Sequence, residues 1–351
     1  MFGAIGDSAP DRWGRALMRR MERRRAEREG GAPRTLQEID FLLLVDDDAR
    51  QGALRFAEKE GGPFLREEGV KRIPPLTELP RLLSAAEHVM EEKDTEEELR
   101  MLFAPGSSLG GARPKASVRE KDGHLGIAKF PRKDDEINTV VWKAVALSIA
   151  QKAGIPVPQA RVENISGKPV LLLRRFDRDG ERRIPFLPAM SMLGSKDREA
   201  RSYLEIVDAL RQHGVAPRAD MEALWRRLVF NILISLSDDH LRNHGFLYEG
   251  QAGWAPVARL RPQPGADRHQ AADSQPRDQR RRQHGLARAG GGGGRVFDLD
   301  DGKARDIAKQ VGKAVSKWRD ETARHGLAKG EIDRMSSAFD HDALKAAVAA
   351  R

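Results

Sequence analysis

Apolar positions change their spacing along this chain, and each spacing predicts a different element. Residues 136–153 put Val141, Val145 and Ile149 on one helical face; Gly154 is placed to end that helix, and Pro156 and Pro158 prevent its continuation. Helical patterns also cover residues 35–44, 77–93, 202–213 and 221–236. Strand-like runs occupy 52–56, 116–119 and 125–131, and the aliphatic run at 168–177 reads as a buried strand leaving into a charged turn. The chain opens on a turn, with Asp7 or Ser8 as candidate cap, and enters a polar helix in which Arg19, Arg20, Arg23, Arg24, Arg25 and Arg28 cluster. A solvated helix face is the plain reading of those arginines, and nucleic-acid contact is the rival. The order of elements predicts an α+β protein, with a small strand-containing lobe ahead of a mostly helical one.

The bulk properties narrow this picture. A length of 351 residues permits a sizeable core and roughly two or three subdomains. The absence of cysteine excludes disulfides and thiolate metal sites. No signal-peptide pattern opens the chain and no apolar run approaches the roughly 20 residues of a membrane span, so a soluble, cytoplasmic protein without membrane contact is expected. The net charge of +9 suggests nucleic acid at first sight, but residues 259–295 hold nine Arg, no Lys and three Asp. Most of the excess therefore sits in one unusual segment, which weakens the case for a nucleic-acid surface.

Two stretches carry candidate chemistry. In residues 228–248, LVFNILISLSDDHLRNHGFLY, an aliphatic run long enough for a buried helix delivers Asp238, Asp239, His240, Asn243 and His244 to one turn. Clustered Asp, Asn and His bind metals and move protons. Earlier, the Gly/Ser run at 106–116 joins short strands, and glycine there lets backbone N–H groups approach a phosphate; a plain hairpin turn is the rival. Lys129 on the following strand favours the phosphate reading, because a loop and a strand lysine converging on phosphates is the kinase arrangement. Taken singly, Lys129 is also a solvated strand residue, Ser108 a loop serine and Asp238 a turn cap. His240 and His244, four apart, could bind zinc from one helix face.

The ordered set of pieces GDSAPDRWGR, SSLGGARPKA, LGIAKFP, KAGIPVP, LLLRRFDR, MSMLG and DDHLRNHGFLY resembles the HipA family, the serine/threonine kinases that act as toxins in bacterial toxin–antitoxin pairs. The resemblance implies a two-lobed protein-kinase-like fold. Residues 1–100 would be a remnant of the N-terminal subdomain, 101–180 the lobe with the Gly-rich loop and ATP lysine, and 181–351 the helical lobe, interrupted at 258–296. It implies ATP and Mg²⁺ as cofactors. Asp238 would be the catalytic base with His240 beside it, and Asn243 would bind the metal. Lys129, Gly110 and Gly111 would meet the nucleotide phosphates, and Arg174, Arg175 and Phe176 would form the hinge against adenine. Ser108 would lie by the nucleotide as the autophosphorylated off-switch. Implied partners are a DNA-binding antitoxin of the HipB type, with DNA met only through it, and a protein substrate, in some relatives an aminoacyl-tRNA synthetase.

The chain departs from that pattern in three places. Its start looks truncated against the strand-rich N-terminal subdomain of the family. Lys143 stands where an acid able to pair with Lys129 is expected, with Glu136 as a possible substitute. The second metal ligand, expected in a Pro-x-Tyr-Asp motif, falls on Arg261. Around Arg261, Leu260 and Leu286 are the only large apolar residues between 259 and 295, and a segment this poor in burial is expected to stay unpacked. One choice of codons for residues 258–264, moved by one nucleotide, reads Pro-Ala-Tyr-Asp-Leu-Asn, and residues 284–294 shift likewise into helical sequence. A local frameshift across about 258–296 explains the block and the missing ligand together. A flexible basic insertion is the rival reading.

Overall fold

The computed structural model describes residues 3–65, 73–106, 111–196, 199, 201–236, 239–257 and 293–350. They fall into two compact units, Met1–Val140 with Gln159–Leu187 and Val141–Pro158 with Pro188–Arg351. The α+β class expected from the apolar pattern is what the chain adopts.

The first unit is built on a four-stranded antiparallel sheet in the order β1-β2-β4-β3, from β1 (Lys115–Arg119), β2 (Leu125–Lys129), β3 (Ala160–Ile165) and β4 (Lys168–Arg174). Alternate positions Ala116 and Val118, Ala128 and Phe130, and Val170 and Leu172 point to one face, as a period of two requires. Against that face pack Trp13 and Leu17 of α1 (Arg12–Glu29), Leu79, Leu82 and Leu83 of α3 (Leu79–Met90), and Leu99 and Leu102 of α4 (Glu96–Gly106). The short α2 (Glu38–Leu43) adds Phe41 to a second cluster with Met18, Val45 and Phe103.

Two expectations need correction here. The cap of the first long helix is neither Asp7 nor Ser8: Asp11 caps α1 by accepting the Gly14 N–H at 2.8 Å. Residues 52–56 form no strand. The Gly52 N–H donates to Asp177 (2.7 Å), the Gly52 carbonyl accepts from Arg178 (3.1 Å), and Arg55 turns onto Asp47, so charged side chains occupy the groups a ladder would need. The arginines of α1 are extensively paired with acids: Arg20 with Asp94, Arg25 with Glu22 and Glu29, and Arg28 with Glu96.

The second unit is mainly helical, with α6 (Tyr203–His213), α7 (Pro217–Leu233), α8 (Asp301–Val315), α9 (Trp318–Arg324) and α10 (Asp342–Ala349), joined by the greater part of α5 (Thr139–Lys152). Ser202 and Glu205 close a capping box at the start of α6. Trp318 stacks on Phe339 with ring centroids 4.5 Å apart, Trp142 of α5 lies against both rings, and the Trp142 indole N–H donates to Glu331 at 2.8 Å. A hairpin of β5 (Gly245–Tyr248) and β6 (Trp254–Pro256) follows α7. Among the described residues no helix is long and apolar enough to cross a membrane.

Candidate functional site

The candidate residues lie in both units. In the sheet unit Lys129 is the last residue of β2, half-buried, with Lys115 opposite on β1 and Leu171 on β4. At the base of the Gly-rich run, Gly111 holds a φ of 115° that favours glycine. Its carbonyl accepts from the Trp13 N–H (3.4 Å) and from the Lys115 ammonium (2.9 Å). The same ammonium meets Asp11 at 2.6 Å, a pair with side chains only 3% and 8% exposed, and the Trp13 indole N–H donates to the Lys115 carbonyl at 3.0 Å. The start of α1 thus grips the point where the Gly-rich run enters β1. Ser108 and Gly110, the other residues expected there, lie outside the described residues.

The expected hinge leaves β4. Arg174 donates to the Gln159 side chain, and Phe176 packs on Phe186 with centroids 5.1 Å apart. Arg175 is buried, with Nε and Nη2 on the two oxygens of Asp177 (2.9 and 2.7 Å) and further bonds to the carbonyls of Ala49 and Arg50. Its guanidinium is committed to packing, and the backbone N–H groups of Arg174 and Arg175 donate to the carbonyls of Gln159 and Leu125, each at 2.9 Å. Burial alone would raise the Asp177 carboxyl; Arg175, Arg178 and the Gly52 N–H outweigh it and hold it at about 2.

In the helical unit the aliphatic α7 ends at Leu233, Ser235 turns with a φ of 52°, and the polar loop follows. Asp238 lies outside the described residues. His240 is exposed and opens a 3₁₀ turn, Leu241–Asn243, in which its carbonyl accepts the Asn243 N–H at 2.7 Å. Asn243 is 3% exposed, and its carbonyl accepts from the buried Arg227 of α7 at 2.7 Å. His240 and His244 flank this turn in extended backbone and share no helix face, which removes the geometry of the zinc alternative.

The centre of the loop is Asp239, with a side chain 5% exposed. Its Oδ2 accepts from the Tyr203 hydroxyl of α6 and from the Asn231 amide of α7 (2.7 Å), and its Oδ1 lies 3.1 Å from His244 Nε2. Tyr203 also sets its ring edge-on to His244, with centroids 5.3 Å apart. Burial pushes the Asp239 carboxyl up, but the His244 ring, Arg227 and the Tyr203 hydroxyl hold it far below the usual carboxylate range. The Tyr203 hydroxyl is driven well above its ordinary value by burial and by Asp239, so it stays a proton donor. Sequence reading missed Tyr203, Arg227, Asn231, Asp239 and His244 as one group. The available signal was Asn231, a polar residue inside the apolar run 228–234, with Arg227 one helical turn before it.

Residues 107–318 match the HipA-like C-terminal domain family, well over half of the chain. The chain belongs to this family. The HipA-like match takes in the site residues except Asp11, Trp13, Ala49, Arg50 and Gly52, and it runs through position 261 and the basic block. A Haemophilus influenzae protein described provisionally as a kinase is 23% identical over 165 residues, 41% of this chain and 48% of that protein, so the match spans about half of the relative's length. HipA of Shewanella oneidensis MR-1, solved with HipB and operator DNA, shares the fold with a TM-score of 0.63 at 15% identity, over 99% of this chain and 84% of that one. The Helicobacter pylori proinflammatory kinase CtkA gives a TM-score of 0.45 at 14% identity, over 67% of this chain and 92% of that one.

Among the described residues no group of three His, Asp or Glu side chains could hold a metal. Asp239 is committed to its three donors, and among the described residues of the loop Asn243 brings a further side-chain oxygen. Mg²⁺ commonly relies on one or two protein oxygens together with phosphates and water. This donor set fits a metal brought in on a nucleotide and does not fit a dedicated protein cage.

Proposed function

We propose that this HipA-family chain is an ATP-dependent protein serine/threonine kinase that moves the γ-phosphoryl of ATP onto a serine hydroxyl, releasing ADP. The observation that carries the reading is the loop after α7: a buried carboxylate and a buried arginine brace both ends of the turn that presents His240 and Asn243. In this reading Asp238 orients the hydroxyl and accepts its proton as the new P–O bond forms and the bond to ADP breaks. His240 flanks it. Asn243 would hold Mg²⁺, whose chemistry is to neutralise charge on the phosphates.

Lys129, Gly110 and Gly111 would meet the phosphates, as the resemblance implies; Gly111 is fixed by Trp13 and Lys115. The Arg174–Phe176 segment is the hinge against which adenine packs. Ser108 is the autophosphorylation site that turns the enzyme off. A HipB-type antitoxin is the partner, and an aminoacyl-tRNA synthetase is the class of substrate that some members of the family suggest.

One observation favours a second reading. Arg261 stands where the second metal ligand is expected, and on the chain as written this supports a protein that binds nucleotide or antitoxin without transferring phosphate. The two readings separate on the full chain with Mg²⁺ and γ-labelled ATP. A kinase transfers label and loses the transfer in Asp238→Asn, whereas the binding protein shows only a nucleotide-dependent rise in melting temperature. The DNA across residues 258–296 settles the frame: codons that cannot shift into Tyr-Asp remove the frameshift explanation.

A further inference from the structure

We infer that Asp239 is a positioning residue for phosphoryl transfer, the group that fixes the turn presenting His240 and Asn243; this rests on the function proposed above. Asp239 and His244 stand at the two ends of that turn, and their side chains meet at 3.1 Å, closing a ring around it. The ring is then tied to two helices, to α6 through the Tyr203 hydroxyl and to α7 through the Asn231 amide. Arg227, one helical turn before Asn231, takes the Asn243 carbonyl at 2.7 Å, and the Ala189 N–H takes the His244 carbonyl at 2.8 Å.

The charge of Asp239 matters as well as its shape. An ionised carboxylate only accepts, so Tyr203, Asn231 and His244 must each turn a proton towards it. That requirement selects the Nε2-protonated form of His244 and one orientation of the Asn231 amide. An asparagine at 239 has the same outline but presents an NH₂ on one side, so that either the Tyr203 hydroxyl and Asn231 amide have to turn or the His244 ring has to change tautomer, and the single arrangement is lost. The residue proposed to receive the substrate proton, Asp238, is bonded directly to this fixed point.

The test uses the full chain and two separate readouts. Hydrogen exchange of wild type and Asp239→Asn is compared over residues 240–245, with the α7 amides as internal reference. The expected result is about tenfold faster exchange in the loop with α7 unchanged. In steady-state transfer from ATP, Asp239→Asn is expected to lower kcat on the order of 100-fold with KM for ATP within about twofold, as a misplaced reacting group does. His244→Gln, which keeps a donor, should retain more kcat than His244→Ala.

Unchanged loop exchange in Asp239→Asn overturns the inference, and so does a KM that rises in proportion while kcat holds. A wild type that transfers no phosphate sinks the proposed function, and the exchange comparison then decides the loop-fixing role alone. Should Asp239→Asn fail to accumulate as folded protein, Tyr203→Phe deletes one donor and carries the same two readouts with the same signs; no effect on either overturns the inference.

Discussion

Asp177→Ala is the substitution whose cost the structure fixes most closely. The carboxylate is 2% exposed and sits between Arg175, 1% exposed, at 2.7 Å and Arg178, 6% exposed, at 3.0 Å, while its Oδ2 also takes the Gly52 N–H at 2.7 Å. Removing it leaves two buried guanidiniums without their carboxylate, and breaking a buried pair in this way costs about 3–5 kcal/mol. The pH dependence gives an independent figure. Holding the carboxyl at about 2 instead of its ordinary 3.8 corresponds to about 2.5 kcal/mol at neutral pH. Because the folded value lies below the unfolded one, that contribution is present above the unfolded value and is lost as pH falls through about 2; about half of it remains near pH 3. Urea titration of wild type and Asp177→Ala at pH 7 and pH 3, with hydrogen exchange in β4 assigning the transition to the sheet unit, measures both effects. A loss below about 1 kcal/mol at pH 7, or a gap that widens on acidification, refutes the reasoning.

The remaining predictions concern the anchors of each unit. Asp11→Ala strips the buried Lys115 of its carboxylate and α1 of its cap, and should cost about 3–5 kcal/mol in urea unfolding; Asp11→Asn, which keeps a cap acceptor, should recover about 1 kcal/mol of that. Trp13→Phe keeps the packing on the sheet but deletes the indole bond to the Lys115 carbonyl, for a loss of about 1 kcal/mol by the same measurement. Gly253 has a φ of 116°, and a Cβ there would lie 2.5 Å from the His213 carbonyl oxygen; Gly253→Ala should lower the melting temperature, at a cost of about 1–3 kcal/mol.

The elements were largely legible because their causes are local. The aliphatic run that becomes β4, the proline-bounded α5 and the helical pattern of α6 are each written within a few residues. What the chain hid was long-range. Nothing near residue 239 announces that Tyr203, 36 positions earlier, supplies a donor to it. Nothing near residue 115 points to Asp11, 104 positions away. Residues 52–56 carry a strand-like pattern, yet Asp177 and Arg178 take the Gly52 backbone, and no periodicity signals that competition. Arg175 read as a nucleotide contact because the resemblance placed it at the hinge; its burial against Asp177 became visible only with the chain folded. The family was legible from ordered motifs, and the match over residues 107–318 shows it.

The central claim is phosphoryl transfer by the loop that follows α7. Its most direct test is incubation of the full chain with Mg²⁺ and γ-labelled ATP, with the labelled residue mapped by mass spectrometry in wild type and Asp238→Asn. The account predicts label on Ser108 in wild type and about 100-fold less or lower in Asp238→Asn. Equal labelling of the two proteins, or none in wild type, contradicts it.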